Sequence, residues 1–228
     1  VCVCVCVCVC VCVCVWCIMC AATYTYFTFQ GLPALQELGV ENSSFPPNTF
    51  LRVASSTLRI ARFFRLNYVD GILFDDCCTS LQDLSCEQIK INNSCVEAWH
   101  SLPALQTLKF RNCATLSSTN VHSDSLRELV VPCFPDEKAL MTVMCPQLVD
   151  LTVYDVQLAV LPKLPEFFEN LTENCPNLRS LRVRFFGWSY SRERIPQTSN
   201  SPIKVPHHLE NLNLSRIPLV WLADIPEV

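Results

Sequence analysis

The chain has 228 residues, half of them hydrophobic and 17% charged, which is enough apolar material for a sizeable core. Its formal net charge of −4 disfavours a nucleic-acid partner, whose phosphates select a basic surface. Glycine numbers only 4, and neither G-x-G-x-x-G nor G-x-x-x-x-G-K-[ST] occurs, so the common dinucleotide and P-loop phosphate sites are excluded.

Residues 1–15 alternate Val and Cys without a break, and residues 1–20 hold nine of the 17 cysteines. A GT dinucleotide repeat read in triplets encodes Val-Cys, and Thr23-Tyr24-Thr25-Tyr26 is what an ACATAC repeat encodes. Phe29-Gln30-Gly31 is compatible with a pyrimidine run followed by AG, as at many intron ends. Residues 1–30 are therefore expected to be a non-native or disordered low-complexity tract, with the folded domain over residues 31–228. Two structural readings compete. The alternation favours a strand, but both of its faces would be apolar. Residues 1–22 carry no charge and are long enough to span a bilayer, although no basic region marks a signal peptide. A membrane role is expected only if this tract is real. Cys17-x-x-Cys20 has no second pair to complete a metal site.

From Leu35 onward the pattern L-x-x-L-x-[apolar] recurs. Its instances open at Leu35, Leu58, Leu81, Leu105, Leu126, Leu148, Leu178 and Leu209, the second being degenerate, with Ala61 in place of the inner leucine. Successive steps are 23, 23, 24, 21, 22, 30 and 31 residues. In a strand the second leucine and the apolar residue two places on point to one face, because side chains alternate. A step of this length lets the chain leave the strand, return on the far side and begin a parallel neighbour. One such unit cannot bury its apolar face alone, so the units must stack. The return segments are predicted helical. Ser94 and Glu97 offer a capping box, a second helix runs from Pro135 to Met144, and a third opens at Pro165 and ends near Asn174. The last two stop at Cys145-Pro146 and Cys175-Pro176, because proline cannot continue a helix.

The units Cys145-Pro146-Gln147-Leu148-Val149-Asp150-Leu151-Thr152-Val153 and Cys175-Pro176-Asn177-Leu178-Arg179-Ser180-Leu181-Arg182-Val183 resemble the strand entry of leucine-rich repeats in F-box proteins, of the ribonuclease-inhibitor-like class. The resemblance covers about residues 32–220. It implies an α/β leucine-rich-repeat solenoid, a curved parallel sheet with helices or turns on its convex side. It also implies a non-enzymatic protein-interaction scaffold that holds a substrate protein for a ubiquitin ligase, in the cytoplasm or nucleus. The sequence departs from that family in having no F-box before Leu35. Reading residues 1–30 as non-coding leaves room for an upstream exon to carry one. The last repeat runs to Val228 without a polar cap, so the domain is expected to be truncated there.

The outward strand positions are the expected partner face. They are Glu37, Gly39 and Glu41; Asp83, Ser85 and Glu87; Thr107, Lys109 and Arg111; Glu128 and Val130; Asp150, Thr152 and Tyr154; Ser180, Arg182 and Arg184; and Asn211, Asn213 and Ser215. The set begins acidic and turns more basic. The longest step holds an insertion with Trp188, Tyr190 and Arg192, residue types enriched in interface hot spots. Lys109, Arg111, Asp150, Tyr154, Arg182, Arg184, Trp188, Tyr190 and Arg192 are the candidate partner-binding residues. No catalytic, cofactor or metal residues are expected, nor a small-molecule substrate. His100 reads as structural, the loop pair His207-His208 lacks companion ligands, and Cys77-Cys78 has no base placed near it. Cys113 reads as a structural loop residue, and the eight cysteines beyond the tract as mostly reduced and buried. Asn42-Ser43-Ser44, Asn92-Asn93-Ser94, Asn170-Leu171-Thr172 and Asn213-Leu214-Ser215 match glycosylation acceptors. They keep a secreted or membrane-anchored recognition ectodomain as the alternative.

Overall fold

The computed structural model describes residues 16–19, 25–90, 93–100, 102–113, 120–132, 142–157, 163–186 and 205–215. The chain divides into two compact units, Val1–Leu116 and Ser117–Val228.

In chain order the first unit holds β1 (Trp16–Met19), β2 (Thr25–Phe29), β3 (Glu37–Glu41), β4 (Ser44–Val53), β5 (Ile60–Phe64) and β6 (Asn67–Phe74). These are followed by β7 (Asp83–Glu87), α1 (Asn93–His100) and β8 (Thr107–Arg111). Strands β3, β5, β7 and β8 lie side by side, parallel and in register, so Leu38, Ala61, Leu84 and Leu108 form one row and Val40, Phe63, Cys86 and Phe110 the next. All eight of these side chains are buried. The leucines that open the second, third and fourth repeats, Leu58, Leu81 and Leu105, are buried beside them. Each strand starts two residues after the residue that opens its repeat.

The second unit repeats the scheme with β9 (Asn120–His122), β10 (Glu128–Pro132), β11 (Thr142–Met144), β12 (Asp150–Gln157), α2 (Leu164–Asn174), β13 (Ser180–Phe186) and β14 (Asn211–Ser215). Strands β10, β12, β13 and β14 are parallel, with Leu129, Leu151, Leu181 and Leu212 in one row. Leu126, Leu148 and Leu178 are buried, while Leu209, Leu212 and Leu214 of the last repeat are only partly covered. Both units are thus segments of a parallel β-solenoid.

The solenoid turn is held by two main-chain ladders. Within each unit, one carbonyl at a strand entry accepts two N–H groups of the following repeat. Gln36 O receives Arg59 and Ile60, Gln82 O receives Gln106 and Thr107, and Val149 O receives Arg179 and Ser180. At the strand exits of the first unit, Asn42, Arg65, Gln88 and Asn112 adopt positive φ of 48°, 50°, 54° and 50°. Three of them donate onward, Asn42 N–H to Phe64 O, Arg65 N–H to Glu87 O and Gln88 N–H to Arg111 O. Left-handed backbone suits Asn and disfavours Arg and Gln, so the ladder is strained at its two middle positions.

The return segments correct the expected helical pattern. In the first unit most are extended, with β2, β4 and β6 forming a second parallel sheet and β1 adding to its edge antiparallel, while the helix expected around Ser94 and Glu97 is present as α1. Pro46-Pro47 lies inside β4 and is unsuited to a helix interior, and Thr49, Leu51 and Val53 are buried on one side of the strand. Strand β2 falls within the low-complexity tract, yet Phe27 and Phe29 are buried and Phe27 meets Phe45 edge-on at 5.1 Å. The helix predicted from Pro135 to Met144 ends instead in strand β11, where Thr142, Val143 and Met144 pair with β9. Its earlier residues lie outside the described set, as do the capping side chains Ser94 and Glu97. The third predicted helix is α2. Pro165 sits in its first turn, Leu164, Phe167, Phe168 and Leu171 are its buried stripe, and Cys175 N–H closes it on Leu171 O. Helices are therefore few, and strands supply most of the described return segments.

Helix α1 packs on β6 at Gly71, where an added Cβ would lie 2.5 Å from Cys95 Sγ. Its Trp99 is fully buried, stacks on Phe110 at 5.7 Å and meets Phe74 edge-on at 6.1 Å. Phe74 in turn meets Phe63. This chain of rings links both sheets of the unit through the interior.

Candidate interaction face

Burying one side of each strand leaves the other to solvent, and parallel register sorts the outward residues into rows that cross the strands, with neighbours in a row about 4.8 Å apart. In the first unit these are Glu37–Ile60–Asp83–Thr107, Gly39–Arg62–Ser85–Lys109 and Glu41–Phe64–Glu87–Arg111. Ile60, Arg62 and Phe64 belong to the degenerate second repeat and are missing from the sequence-based face. Their spacing from Leu58, the same as in every other repeat, would have found them. Arg62 reaches Glu37 at 3.6 Å, and Arg65 lies 4.7 Å above the Phe64 ring. The predicted pair Lys109 and Arg111 sits on β8, half-buried and exposed respectively.

In the second unit the rows are Glu128–Asp150–Ser180–Asn211 and Val130–Thr152–Arg182–Asn213, with Pro132–Tyr154 and Arg184–Ser215 at the strand ends. The register shifts between Val153 and Val156, where Asp155 takes a φ of 56°, so the chain bulges beside Arg184. The structure therefore brings Asp150, Tyr154, Arg182 and Arg184 onto neighbouring strands of one face. Asp150, Arg182 and Arg184 are exposed and Tyr154 is half-buried. Val130 and Ser180, expected outward, are buried. Trp188, Tyr190 and Arg192 lie outside the described residues.

The remaining candidates have structural partners. The thiols three residues before the repeat leucines bond to the preceding turn of chain. Cys78 Sγ meets Val53 O at 3.3 Å, Cys145 meets Val121 O at 3.8 Å and Cys175 meets Val143 O at 3.6 Å. Burial pushes all three thiols up, Cys145 to about 12. They are thus neutral donors at physiological pH and poor nucleophiles. Cys113, one residue past Asn112, meets Cys86 O at 3.3 Å, and burial raises its thiol to about 11. Cys77, Cys78, Cys86, Cys95, Cys113, Cys145 and Cys175 are all free thiols. Cys77 is exposed and lines an open depression with Arg52, Phe74, Asp75 and Asp76, in which Arg52 and Asp75 pair at 2.6 Å. His208 Nε2 lies 3.2 Å from Cys175 O and its ring is edge-on to His207. Among the described residues no group of three His, Cys, Asp or Glu side chains could hold a metal, and no helix is long and apolar enough to cross a membrane.

What this arrangement offers, in each unit, is a regular array of exposed or half-buried side chains, mainly polar, on parallel strands. Comparison of the chain with protein-family models, with curated proteins and with solved structures finds no match.

Proposed function

We propose that this protein is a non-enzymatic leucine-rich-repeat scaffold that binds another protein on the exposed faces of its parallel sheets. The observation that carries the reading is the alternation along most of the eight strands that open the repeats, apolar residues inward and mainly polar residues outward at fixed spacing, with β10 the clearest exception. Such a surface supplies many directional contacts. The leucine rows and the two Cys-Pro strand entries favour the leucine-rich-repeat family of the ribonuclease-inhibitor-like class. Within it, the reading extends to substrate recognition for an F-box-type ubiquitin ligase in the cytoplasm or nucleus.

The test is affinity capture from cells with the full chain, followed by quantitative mass spectrometry. A partner held by the wild type is expected to be lost from the face variant Lys109→Glu/Arg182→Glu. It should be kept by Tyr68→Ser, which changes an exposed ring on β6. Equal capture by all three would remove the reading. Recovery of ligase core subunits supports the ubiquitin version, and their absence restricts the proposal to a generic scaffold. The secreted alternative has one observation in its favour, the exposed Asn42-Ser43-Ser44 turn between β3 and β4. A mass loss at Asn42 on glycosidase treatment of the cell-derived protein would favour it.

A further inference from the structure

We infer that Arg182 and Arg184 form a docking site for an extended acidic protein segment, one that carries carboxylates on alternate residues. This rests on the scaffold reading above and names the chemistry of the partner. Several other arginines of the described chain have intramolecular partners. Arg52 pairs with Asp75, Arg62 with Glu37 and Arg179 with Glu210, while Arg59 and Arg65 donate to Gln82 and Gln88. Arg182 and Arg184 are both exposed on one strand, and among the described residues neither side chain forms an ion pair or hydrogen bond. Neither Asp150 nor Asp155, the acidic residues of the adjoining strand, is paired to them.

Their row neighbours are neutral hydrogen-bonding residues, Thr152 and Asn213 beside Arg182 and Ser215 beside Arg184. Among the described residues the site therefore offers two guanidinium groups without an ion-pair partner beside neutral row neighbours. An uncompensated positive pair is complementary to an anionic partner, and guanidinium binds carboxylate through two parallel hydrogen bonds. Spacing narrows the class further. Alternate residues of a strand present side chains to one face about 6.6 Å apart. A second extended chain lying along β13 presents its own alternate side chains at the same interval, so two carboxylates meet two arginines one to one. A single compact anion needs the two side chains to converge, whereas an acidic strand takes them as they stand.

Fluorescence anisotropy of the full chain tests this with a labelled peptide carrying three glutamates at alternate positions. Saturable binding is expected, weakened about tenfold by Arg182→Ser, about tenfold by Arg184→Ser and more by both, since charged hydrogen bonds are worth one or more decades of affinity. The double Lys variant, which keeps charge and loses the planar fork, should bind with intermediate strength. A peptide of the same composition with its glutamates adjacent should bind several-fold more weakly. Because both side chains are exposed, all variants should melt as the wild type does. Failure of the peptide to bind, or binding unaffected by the double Ser change or by the scrambled spacing, overturns the inference. So does selective binding of a phosphoserine peptide where the glutamate peptide fails. A cellular partner lost from Lys109→Glu/Arg182→Glu but fully retained by Arg182→Ser/Arg184→Ser would leave the scaffold standing and defeat the acidic-segment assignment alone.

Discussion

The indole N–H of Trp99 donates to the main-chain carbonyl of Ile72 at 2.9 Å, tying helix α1 to strand β6 inside the first unit. The same ring is fully buried and stacked against Phe110 of β8. One side chain therefore fills the interior and satisfies a buried carbonyl. Trp99→Phe keeps much of the ring and deletes the donor. It is expected to cost about 1–3 kcal/mol, the penalty of leaving a buried acceptor without a partner. Urea denaturation measures it, and an unchanged midpoint would mean that water replaces the indole.

Gly71 is a point of close approach between α1 and the sheet. A methyl group there would collide with Cys95 Sγ at 2.5 Å and approach Phe50 at 3.0 Å. Gly71→Ala is expected to destabilise the protein by about 1–3 kcal/mol through overpacking. Adding Cys95→Ala should restore part of the loss, since it removes the nearer obstacle and leaves the Phe50 ring. Gly39→Ala serves as control, because an added Cβ there meets nothing within 4 Å. It should stay within about 0.5 kcal/mol of wild type. Thermal melts of the four proteins decide the matter.

Cys145 sets a stability limit at high pH. Burial raises its thiol from the ordinary 9.0 to about 12 in the folded state. A pKa raised on folding means that the native chain binds its proton more tightly than the unfolded chain does. The contribution is fully present below pH 9 and is lost as pH climbs through 9 toward 12. Cys78, Cys86, Cys95, Cys113 and Cys175 shift in the same direction and add to the slope. Denaturant midpoints are expected to hold steady up to about pH 8 and then fall, with a shallower fall in Cys145→Ala. That variant should be less stable overall at neutral pH, having lost the contact with Val121 O and some buried volume. A slope identical to wild type would show that Cys145 is solvated.

Much of the strand stack was legible because two periods coincide. The two-residue alternation sets which side chains enter the core, and the repeat step sets where the next strand begins. All eight strands that open the repeats start at the position this implies, including β5, whose Ala61 breaks the leucine row. The return segments were harder to read, because short apolar runs suit either helix or strand until their neighbours are known. Thr142-Val143-Met144 reads as the end of a helix and becomes a strand because β9 offers a pairing edge. For the candidate face, the direction of each side chain could be read and its exposure could not. Val130 and Ser180 occupy outward positions but are covered by surrounding structure. The bulge at Asp155 has no glycine to announce it. The lack of partners for Arg182 and Arg184 among the described residues depends on which rows lie side by side, and that emerges only from the register.

The most direct measurement of the central claim is a cysteine scan along β12 and β13, with maleimide labelling rates mapped site by site by mass spectrometry. Asp150→Cys, Thr152→Cys, Arg182→Cys and Arg184→Cys should label rapidly, whereas Leu151→Cys, Val153→Cys, Leu181→Cys and Val183→Cys should react only on unfolding. Rates that fail to alternate, or that protect the polar positions and expose the leucines, would contradict a solenoid whose leucines line a shared interior.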